Sequence, residues 1–314
     1  MPPAVSSPRR RADPSPPPLP LGFSPHRFCS LQRQQPMDQF HDGHHVWLRS
    51  RVRGTYLHAN DHGEGVSLHK RRSSMNAAWA VHLYQGDGDT QYVLLHSAAY
   101  GRYLAATDAS PPRGCRGFRV VQRNYDQPQV EAIRWQAVRI GSGNDILLRH
   151  VAGRNFRYLR ANGRYLPWNN TVSLDEFENL STMMQWVVEP IPPRHGMPAL
   201  PGPLRARLPG DQTIRFVRAS DDGLYTEEGW SEFQFRGSSV YDLSNELATR
   251  VGVSDLIMCV RAGRYGRLIP LVVNLPRHGD TIEIVVIIDG TPASAVLRHP
   301  DVSAHKRKIR ADVV

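Results

Sequence analysis

The chain has 314 residues, a hydrophobic fraction of 40% and a formal net charge of +10. This length suits about two domains, each large enough to bury a core. Cys29, Cys115 and Cys259 are too few and too far apart for a disulfide framework or a zinc knuckle, and no apolar run reaches the ~20 residues of a membrane span. These features exclude a disulfide-stapled secreted protein and favour a reducing compartment.

Residues 1–36 are rich in Pro, Ser and Arg and include the run Pro14-Ser15-Pro16-Pro17-Pro18. Such a segment cannot bury enough apolar surface to offset its ordering entropy, so we expect a disordered leader. A leader that is poor in acids and rich in Arg and Ser is typical of a transit peptide, but its prolines disfavour an amphipathic helix. We favour Met37 as the natural start and a cytoplasmic protein; the alternatives are the nucleus, or an organelle if the leader acts as a transit peptide.

From residue 37 to residue 193 the chain repeats one pattern three times. Each unit has an apolar strand, a turn, a Tyr-Leu strand, a variable loop and a strand that begins with Trp. One unit has an apolar face that it cannot bury alone, whereas three such faces can close around one core. The pattern predicts a β-trefoil with these core residues: Tyr56, Leu57 and Trp79; Tyr103, Leu104 and Trp135; Tyr158, Leu159 and Trp186.

A second domain is predicted after a stiff Pro-rich linker at residues 194–210. Two strand patterns come first, near Thr213–Val217 and Ser231–Arg236. A helix follows, with apolar residues at helical spacing, Ser238 or Ser239 as its N-cap and Gly252 past its end. Further strand patterns complete the order β-β-α-β-β of a small α+β β-grasp domain over residues 211–302. The basic tail, residues 303–314, is expected to fray. The predicted fold class is therefore mainly β, a β-trefoil followed by a β-grasp domain.

Both predicted domains resemble a known family. The first repeat unit, Phe40–Ser50 with Gly54–Ala59, resembles the start of the plant DUF569 family, and the runs Leu166–Asn170 and Met184–Pro190 resemble later parts of it. The piece from Gln212 to Val302 is similar to the ubiquitin-like domain that accompanies DUF569. The resemblance implies a trefoil similar to the actin-crosslinking, fascin-like group, and it brings no catalytic residue and no cofactor.

The sequence offers no convincing catalytic or metal-ligating group, so we expect a non-enzymatic protein without a cofactor. His41, His44 and His45 cluster before the first strand, but we interpret them as surface histidines because a metal site needs three or four ligands in fixed geometry. Asp175 and Glu176 fall in a predicted loop and read as solvated. Cys115 has Arg neighbours that would favour a thiolate, but the sequence places no base beside it.

Clusters of basic side chains are the candidate protein-binding residues. Such clusters suit an acidic protein surface, and fold resemblance alone suggests actin as the partner. The alternative is that these charges simply form solvated strand faces. Nucleic acid is a weaker expectation, because the basic excess is spread along the chain and is nearly all Arg. The candidates are Arg49, Arg51 and Arg53, interpreted as alternate positions of one strand; Lys70, Arg71 and Arg72; and Arg154, Arg157, Arg160 and Arg164.

Trp168 and Asn169 are the candidate ligand-binding residues. Trp168 lies in a loop beside Asn169 and Asn170, and trefoils that bind sugars stack them on exposed aromatic rings. A buried structural role for Trp168 is the competing interpretation. A carbohydrate- or small-ligand-binding trefoil is therefore the alternative to a protein-binding one.

Overall fold

The computed structural model describes residues 36–86, 88–126, 130–140, 144–152, 155–163, 169–176, 181–203, 211–263, 266–276 and 281–304. The predicted leader and the tail beyond residue 304 lie outside these ranges. Residues 35–314 group into one compact unit, which contains both predicted domains. Among the described residues, no helix is long and apolar enough to cross a membrane.

The first domain contains three consecutive groups of four strands. The first group is β1 His45–Ser50, β2 Tyr56–Ala59, β3 Val66–His69 and β4 Trp79–Gln85. The second is β5 Gln91–Ser97, β6 Tyr103–Ala106, β7 Phe118–Arg123 and β8 Trp135–Arg139. The third is β9 Asp145–Ala152, β10 Asn155–Ala161, β11 Val172–Glu176 and β12 Trp186–Ile191. A short 3-10 turn precedes the last strand of each group, at Met75–Ala77, Glu131–Ile133 and Thr182–Met184.

Strand pairing closes this domain into a barrel. The first and last strands of each group pair around a ring, in the order β1-β4-β5-β8-β9-β12 and back to β1. The inner strands form hairpins, β2-β3, β6-β7 and β10-β11. Because the ring closes on itself, its strands leave no edge open to another chain. This is the predicted β-trefoil.

The repeating tryptophans form the centre of the trefoil core. Trp79, Trp135 and Trp186 are fully buried and share one apolar cluster with the predicted leucines Leu57, Leu104 and Leu159. The predicted tyrosines are also buried, but each lies in a separate, smaller cluster. The three indole N–H groups donate to the carbonyl oxygens of Leu57, Leu104 and Leu159, at 3.2, 2.9 and 2.9 Å. Each Trp strand is therefore tied to the Tyr-Leu strand of its own repeat by the same hydrogen bond.

The second domain is a five-stranded sheet with one helix of three turns. Its elements are β14 Asp211–Arg218, β15 Ser231–Arg236, α1 Val240–Val251, β16 Leu256–Val260, β17 Ile269–Pro270, β18 Ile282–Ile288 and the short helix α2 Pro292–Ala295. The sheet order is β15-β14-β18-β16-β17, with β14 and β18 parallel. Ser239 caps α1 through the Asp242 N–H at 3.1 Å, and Gly252 ends it in the left-handed conformation. The predicted helix and its caps are confirmed.

The two domains share apolar contacts. Ala262 of the second domain packs in a cluster with Leu94 and Tyr103 of the trefoil, whereas Ala80 of the trefoil packs in the core of the second domain. A two-stranded pairing, β13 Pro193–Arg194 with β19 His299–Pro300, joins the chain after the trefoil to the end of the second domain. The contact between the domains therefore has apolar parts in two separate clusters and a backbone tie.

Candidate functional site

A cavity of about 390 Å³ lies between the two domains. We call it the junction cavity. The trefoil contributes the loop before β1 together with residues of β1, β4 and β5, and the second domain contributes residues beside β14, β17, β18 and α2. Its polar side chains are Asp42, His45, His82, His96, Asp222, Arg267 and Arg298, and its apolar ones include Ala80, Val81, Leu268, Ile269, Ile287 and Leu297.

Buried imidazoles line the trefoil side of the junction cavity. His96, in β5, is 1% exposed, and neither of its ring nitrogens has a hydrogen-bond partner among the described residues. Nε2 of His45, at the start of β1, and Nδ1 of His82, in β4, are also buried without a partner. Unpaired buried polar atoms are costly, so native structures keep few of them and each needs an explanation.

Two guanidinium groups lie on the opposite side. Nη2 of Arg267 lies 2.7 Å from Oδ2 of Asp42, whose Oδ1 accepts the Leu83 N–H at 2.8 Å. Arg298 has no carboxylate partner within the described ranges. Gly43, with φ of 71°, lies beside both cations: a Cβ there would stand 3.5 Å from Arg267 Nη1 and 3.6 Å from Arg298 Nη1. The glycine therefore lets the loop approach both groups.

The cavity imidazoles are neutral at neutral pH. Burial, followed by the neighbouring His299, His44 and Arg298, lowers the pKa of His45 to about 4. Burial also lowers the pKa of His82, with Arg267 acting in the same direction, and holds that of His96 well below its usual range. Burial opposes ionisation of Asp42, but the hydrogen bonds from Arg267 and Leu83 dominate and lower its pKa. The site therefore holds neutral donors and acceptors beside one ion pair, the additional cation Arg298 and the exposed carboxylate of Asp222.

The lining can form hydrogen bonds to a ligand in both directions. Each neutral imidazole has one N–H donor and one acceptor nitrogen. Among the described lining residues there is no Cys, Ser or Lys to act as a nucleophile. In the described part of the chain, no three His, Cys, Asp or Glu side chains are arranged to hold a metal ion.

Two family profiles match the chain. Residues 37–189 match the β-trefoil domain of unknown function DUF569, and residues 210–287 match the DUF569-associated ubiquitin-like domain. The chain carries a DUF569 β-trefoil domain. The second domain is thereby the ubiquitin-like domain that accompanies the DUF569 trefoil, as the sequence resemblance implied. No match to the chain was found among curated proteins.

Solved structures similar to the DUF569 trefoil come from several kingdoms. A protein of unknown function from Caenorhabditis elegans is 14% identical, with 48% of this chain and 96% of that chain covered and a TM-score of 0.38. The SDF2-like protein from Arabidopsis thaliana is 16% identical, with 48% and 93% covered and a TM-score of 0.38. A ricin B-like lectin from Macrolepiota procera, solved with lactose, is 18% identical, with 48% and 96% covered and a TM-score of 0.38.

The first predicted basic cluster is not a strand face in the DUF569 trefoil. β1 ends at Ser50, so Arg51 and Arg53 lie in the following turn, and the prediction of three alternate strand positions was wrong. Arg49 Nε donates to Glu189 at 2.6 Å, and Arg51 lies 3.3 Å from Asp145. The Arg53 guanidinium binds the carbonyl oxygen of Gly163. These side chains connect the first repeat to the third.

The second and third clusters are also largely engaged within the protein. Arg72 lies 3.8 Å from Glu189 and donates to the carbonyl of Ala304 at 3.0 Å, which ties the trefoil to the end of the ubiquitin-like domain. Arg157 pairs with Asp108 at 2.6 Å, and Arg160 pairs with Asp175. Lys70 and Arg71 are exposed. Arg154 and Arg164 lie outside the described residues.

Of the two predicted ligand-binding residues, the structure describes only one. Trp168 lies outside the described residues. Asn169 Oδ1 accepts from the Thr171 hydroxyl at 2.6 Å and from its N–H at 3.1 Å, so the loop itself uses this amide oxygen. The Cys115 thiol contacts the Thr171 hydroxyl at 2.7 Å and the Asn169 amide at 3.4 Å, neither of which is a base.

Two interpretations of polar residues were wrong. His45 is buried at 6% exposure, because it begins β1 and packs at the junction, while His41 and His44 are exposed as expected. Asp175 is not solvated; it lies on β11, is buried and pairs with Arg160. Sequence reasoning also missed His96. The signal was present, since His96 interrupts the apolar strand Val93-Leu94-Leu95.

Proposed function

We propose that this DUF569 chain is a non-enzymatic binding protein whose ligand site is the junction cavity. One observation carries the proposal: His96 is buried at the wall of a 390 Å³ cavity with both ring nitrogens unpartnered in the described part of the chain. Small-molecule sites are concave, mostly apolar and equipped with a few convergent polar groups, at volumes of about 300–1,000 Å³. A bound ligand would supply the hydrogen bonds that the protein leaves open.

Binding fits the site better than catalysis does. Efficient acid–base catalysis uses a group whose pKa lies near the working pH. The pKa of His45 is lowered to about 4, and burial lowers those of His82 and His96 too. Such imidazoles are weak bases and remain unprotonated, so they serve as fixed hydrogen-bond partners.

A fragment screen on the full chain tests the proposal. We expect fragments that combine an apolar ring with a polar head to give saturation-transfer NMR signals and to shift the amide resonances of Ala80, Val81 and Ile269. His96→Phe should keep the ring contact with Tyr103 at 4.1 Å and weaken binding at least tenfold. Arg71→Gln, a change at an exposed residue outside the cavity lining, should have no effect. Fragments that bind His96→Phe as tightly as the unmodified chain would contradict the proposal.

A protein partner is a second candidate function, and we propose Lys70 and Arg71 as its contact. Both side chains are exposed after β3, and within the described ranges neither has a carboxylate partner. Steering by such charges favours an acidic surface, of which an actin filament is one example. The full chain should co-sediment with filaments at low salt, and Lys70→Glu with Arg71→Glu should reduce pelleting about tenfold. Arg113→Glu with Arg116→Glu, two exposed residues between β6 and β7, is the charge-matched control, and failure of the unmodified chain to pellet rules actin out.

A further inference from the structure

We propose that the ligand of the junction cavity is a small organic acid, with one carboxylate on an apolar body. This inference rests on the proposed binding function and adds the chemical class. The carboxylate would lie between Arg298 and the unpartnered imidazoles, and the apolar body would lie against the aliphatic wall.

Two charged side chains of the cavity lining, Arg298 and Asp222, have no ion-pair partner among the described residues; Arg298 acts on His45, whereas Asp222 acts on none of the three cavity imidazoles. Asp42 neutralises Arg267 through the 2.7 Å ion pair, whereas no carboxylate in the described part of the chain neutralises Arg298. Asp222 also lines the cavity, but it is exposed and makes no ion pair with Arg298 among the described residues. A guanidinium that faces a cavity without a partner is suited to bind a carboxylate, often through two parallel hydrogen bonds.

The surroundings of the imidazoles reinforce this polarity. The charges that act on His45 are those of His299, His44 and Arg298, and those that act on His96 are His82, Arg267 and His45. Because the cavity imidazoles are neutral at neutral pH, the permanent cations that act on them are Arg298, on His45, and Arg267, on His82 and His96. Asp42 acts on His82 alone among the three cavity imidazoles. A ligand group that accepts hydrogen bonds and carries negative charge is therefore favoured at this end, with imidazole N–H groups as donors.

The rest of the wall favours an apolar body. The aliphatic surface of the cavity comes from Ala80, Val81, Leu268, Ile269, Ile287 and Leu297. Apart from the polar side chains named above, no described lining residue has a charge that could pair with a second ionic group of the ligand. A highly hydrated inorganic anion would leave this surface wet. An acid with a hydrocarbon or aromatic body would cover it and gain the transfer energy of the covered area.

Matched ligand sets test the class with the full chain. Phenyl- and alkyl-substituted acetic acids, the primary amides of the same skeletons and the corresponding amines are titrated by calorimetry at neutral pH. We expect each acid to bind at least tenfold more tightly than its amide, and the amines to bind most weakly. Arg298→Gln should reduce acid binding about tenfold and leave amide binding unchanged, while the exposed control Arg71→Gln changes neither.

The outcomes separate this inference from the proposed function. If amides bind at the cavity as tightly as acids, or Arg298→Gln leaves the acid preference intact, the acid class is wrong and the binding function stands. Tighter binding of amines also overturns it. If no member of any set shifts the cavity resonances, the proposed function fails together with the inference. Thermal melts of both variants show whether each is folded, since Arg298 and Arg71 are exposed and their replacement should leave the melting temperature unchanged.

Discussion

At the scale of single residues, the tryptophan of each repeat contributes a hydrogen bond as well as hydrophobic burial. Trp79, Trp135 and Trp186 each fill the core and donate an indole hydrogen bond to the carbonyl of a repeated leucine. A large ring alone could be replaced by another aromatic residue. The buried N–H makes tryptophan specific, because its donor has a partner only where the Tyr-Leu strand presents a carbonyl oxygen.

Replacing one of these tryptophans measures the hydrogen bond and the packing together. Trp135→Phe removes the 2.9 Å bond to Leu104 and leaves a cavity in a fully buried position, so we expect a loss of about 2–4 kcal/mol in the free energy of unfolding. Urea denaturation measures it. Trp230→Phe is the control, since the Trp230 indole nitrogen is buried without a partner in the described residues and its loss should cost about 1 kcal/mol or less. Equal losses in the two variants would contradict this explanation.

At the scale of elements, equivalent turns of the trefoil have different neighbours. Gly54 and Gly101 close the same turn in the first and second repeats, with φ of 63° and 67°. Their N–H groups donate to the backbone carbonyl oxygens of Ser50 and Ser97, at 2.9 and 2.7 Å. A Cβ on Gly54 would meet nothing within 4 Å, whereas one on Gly101 would stand 3.0 Å from Val260 Cγ2 in β16. The second turn is thus also a contact with the ubiquitin-like domain.

This matched pair separates backbone strain from domain contact. Gly54→Ala should destabilise the chain by about 1–2 kcal/mol, because its one cost is the strain of an alanine held in the left-handed conformation. Gly101→Ala should lose about 1–3 kcal/mol more, since its methyl group also overpacks against Val260. Urea denaturation gives both values, and NMR should show shifts in β16 for Gly101→Ala alone. Equal costs with an unperturbed β16 would mean that the turn does not press on the second domain.

Elements and their order could be predicted from the sequence, whereas contacts between distant elements could not. The helix α1 followed from apolar spacing together with Ser239 and Gly252, all local signals that the structure bears out. The junction cavity brings Asp42 into contact with Arg267, which is 225 residues away along the chain. Hydrophobic periodicity is a local signal and cannot predict such a contact. The first arginine cluster failed as a strand face for a local reason, since β1 ends at Ser50. Its partners Glu189, Asp145 and Gly163 lie in the third repeat, and no local pattern predicts them.

At the scale of the whole molecule, the two domains form one body. Ala80 of the trefoil is buried in the core of the ubiquitin-like domain, and Ala262 of that domain is buried in a smaller trefoil cluster. Arg72 and the β13-β19 pairing tie the chain end back to the trefoil. The Pro-rich segment takes part as well, since Leu200 packs against the core of the ubiquitin-like domain. The ubiquitin-like domain therefore completes the junction cavity, and the trefoil by itself would present only half of it.

This junction makes the stability of the whole molecule sensitive to acid. Burial lowers the pKa of His45 from 6.5 to about 4, so between these values the unfolded chain binds a proton that the folded chain excludes. Unfolding takes up protons in that window, and stability falls as the pH drops through it. From pH 7 to pH 5 we expect His45 to contribute about 2 kcal/mol of the loss in the free energy of unfolding. Urea denaturation at both pH values measures it: His45→Asn should reduce the loss by that amount, and the exposed Arg71→Gln, which removes no group that titrates between pH 5 and pH 7, should leave it unchanged. A loss of the same size in His45→Asn and in the unmodified chain would show that His45 is not the group that couples acid to unfolding.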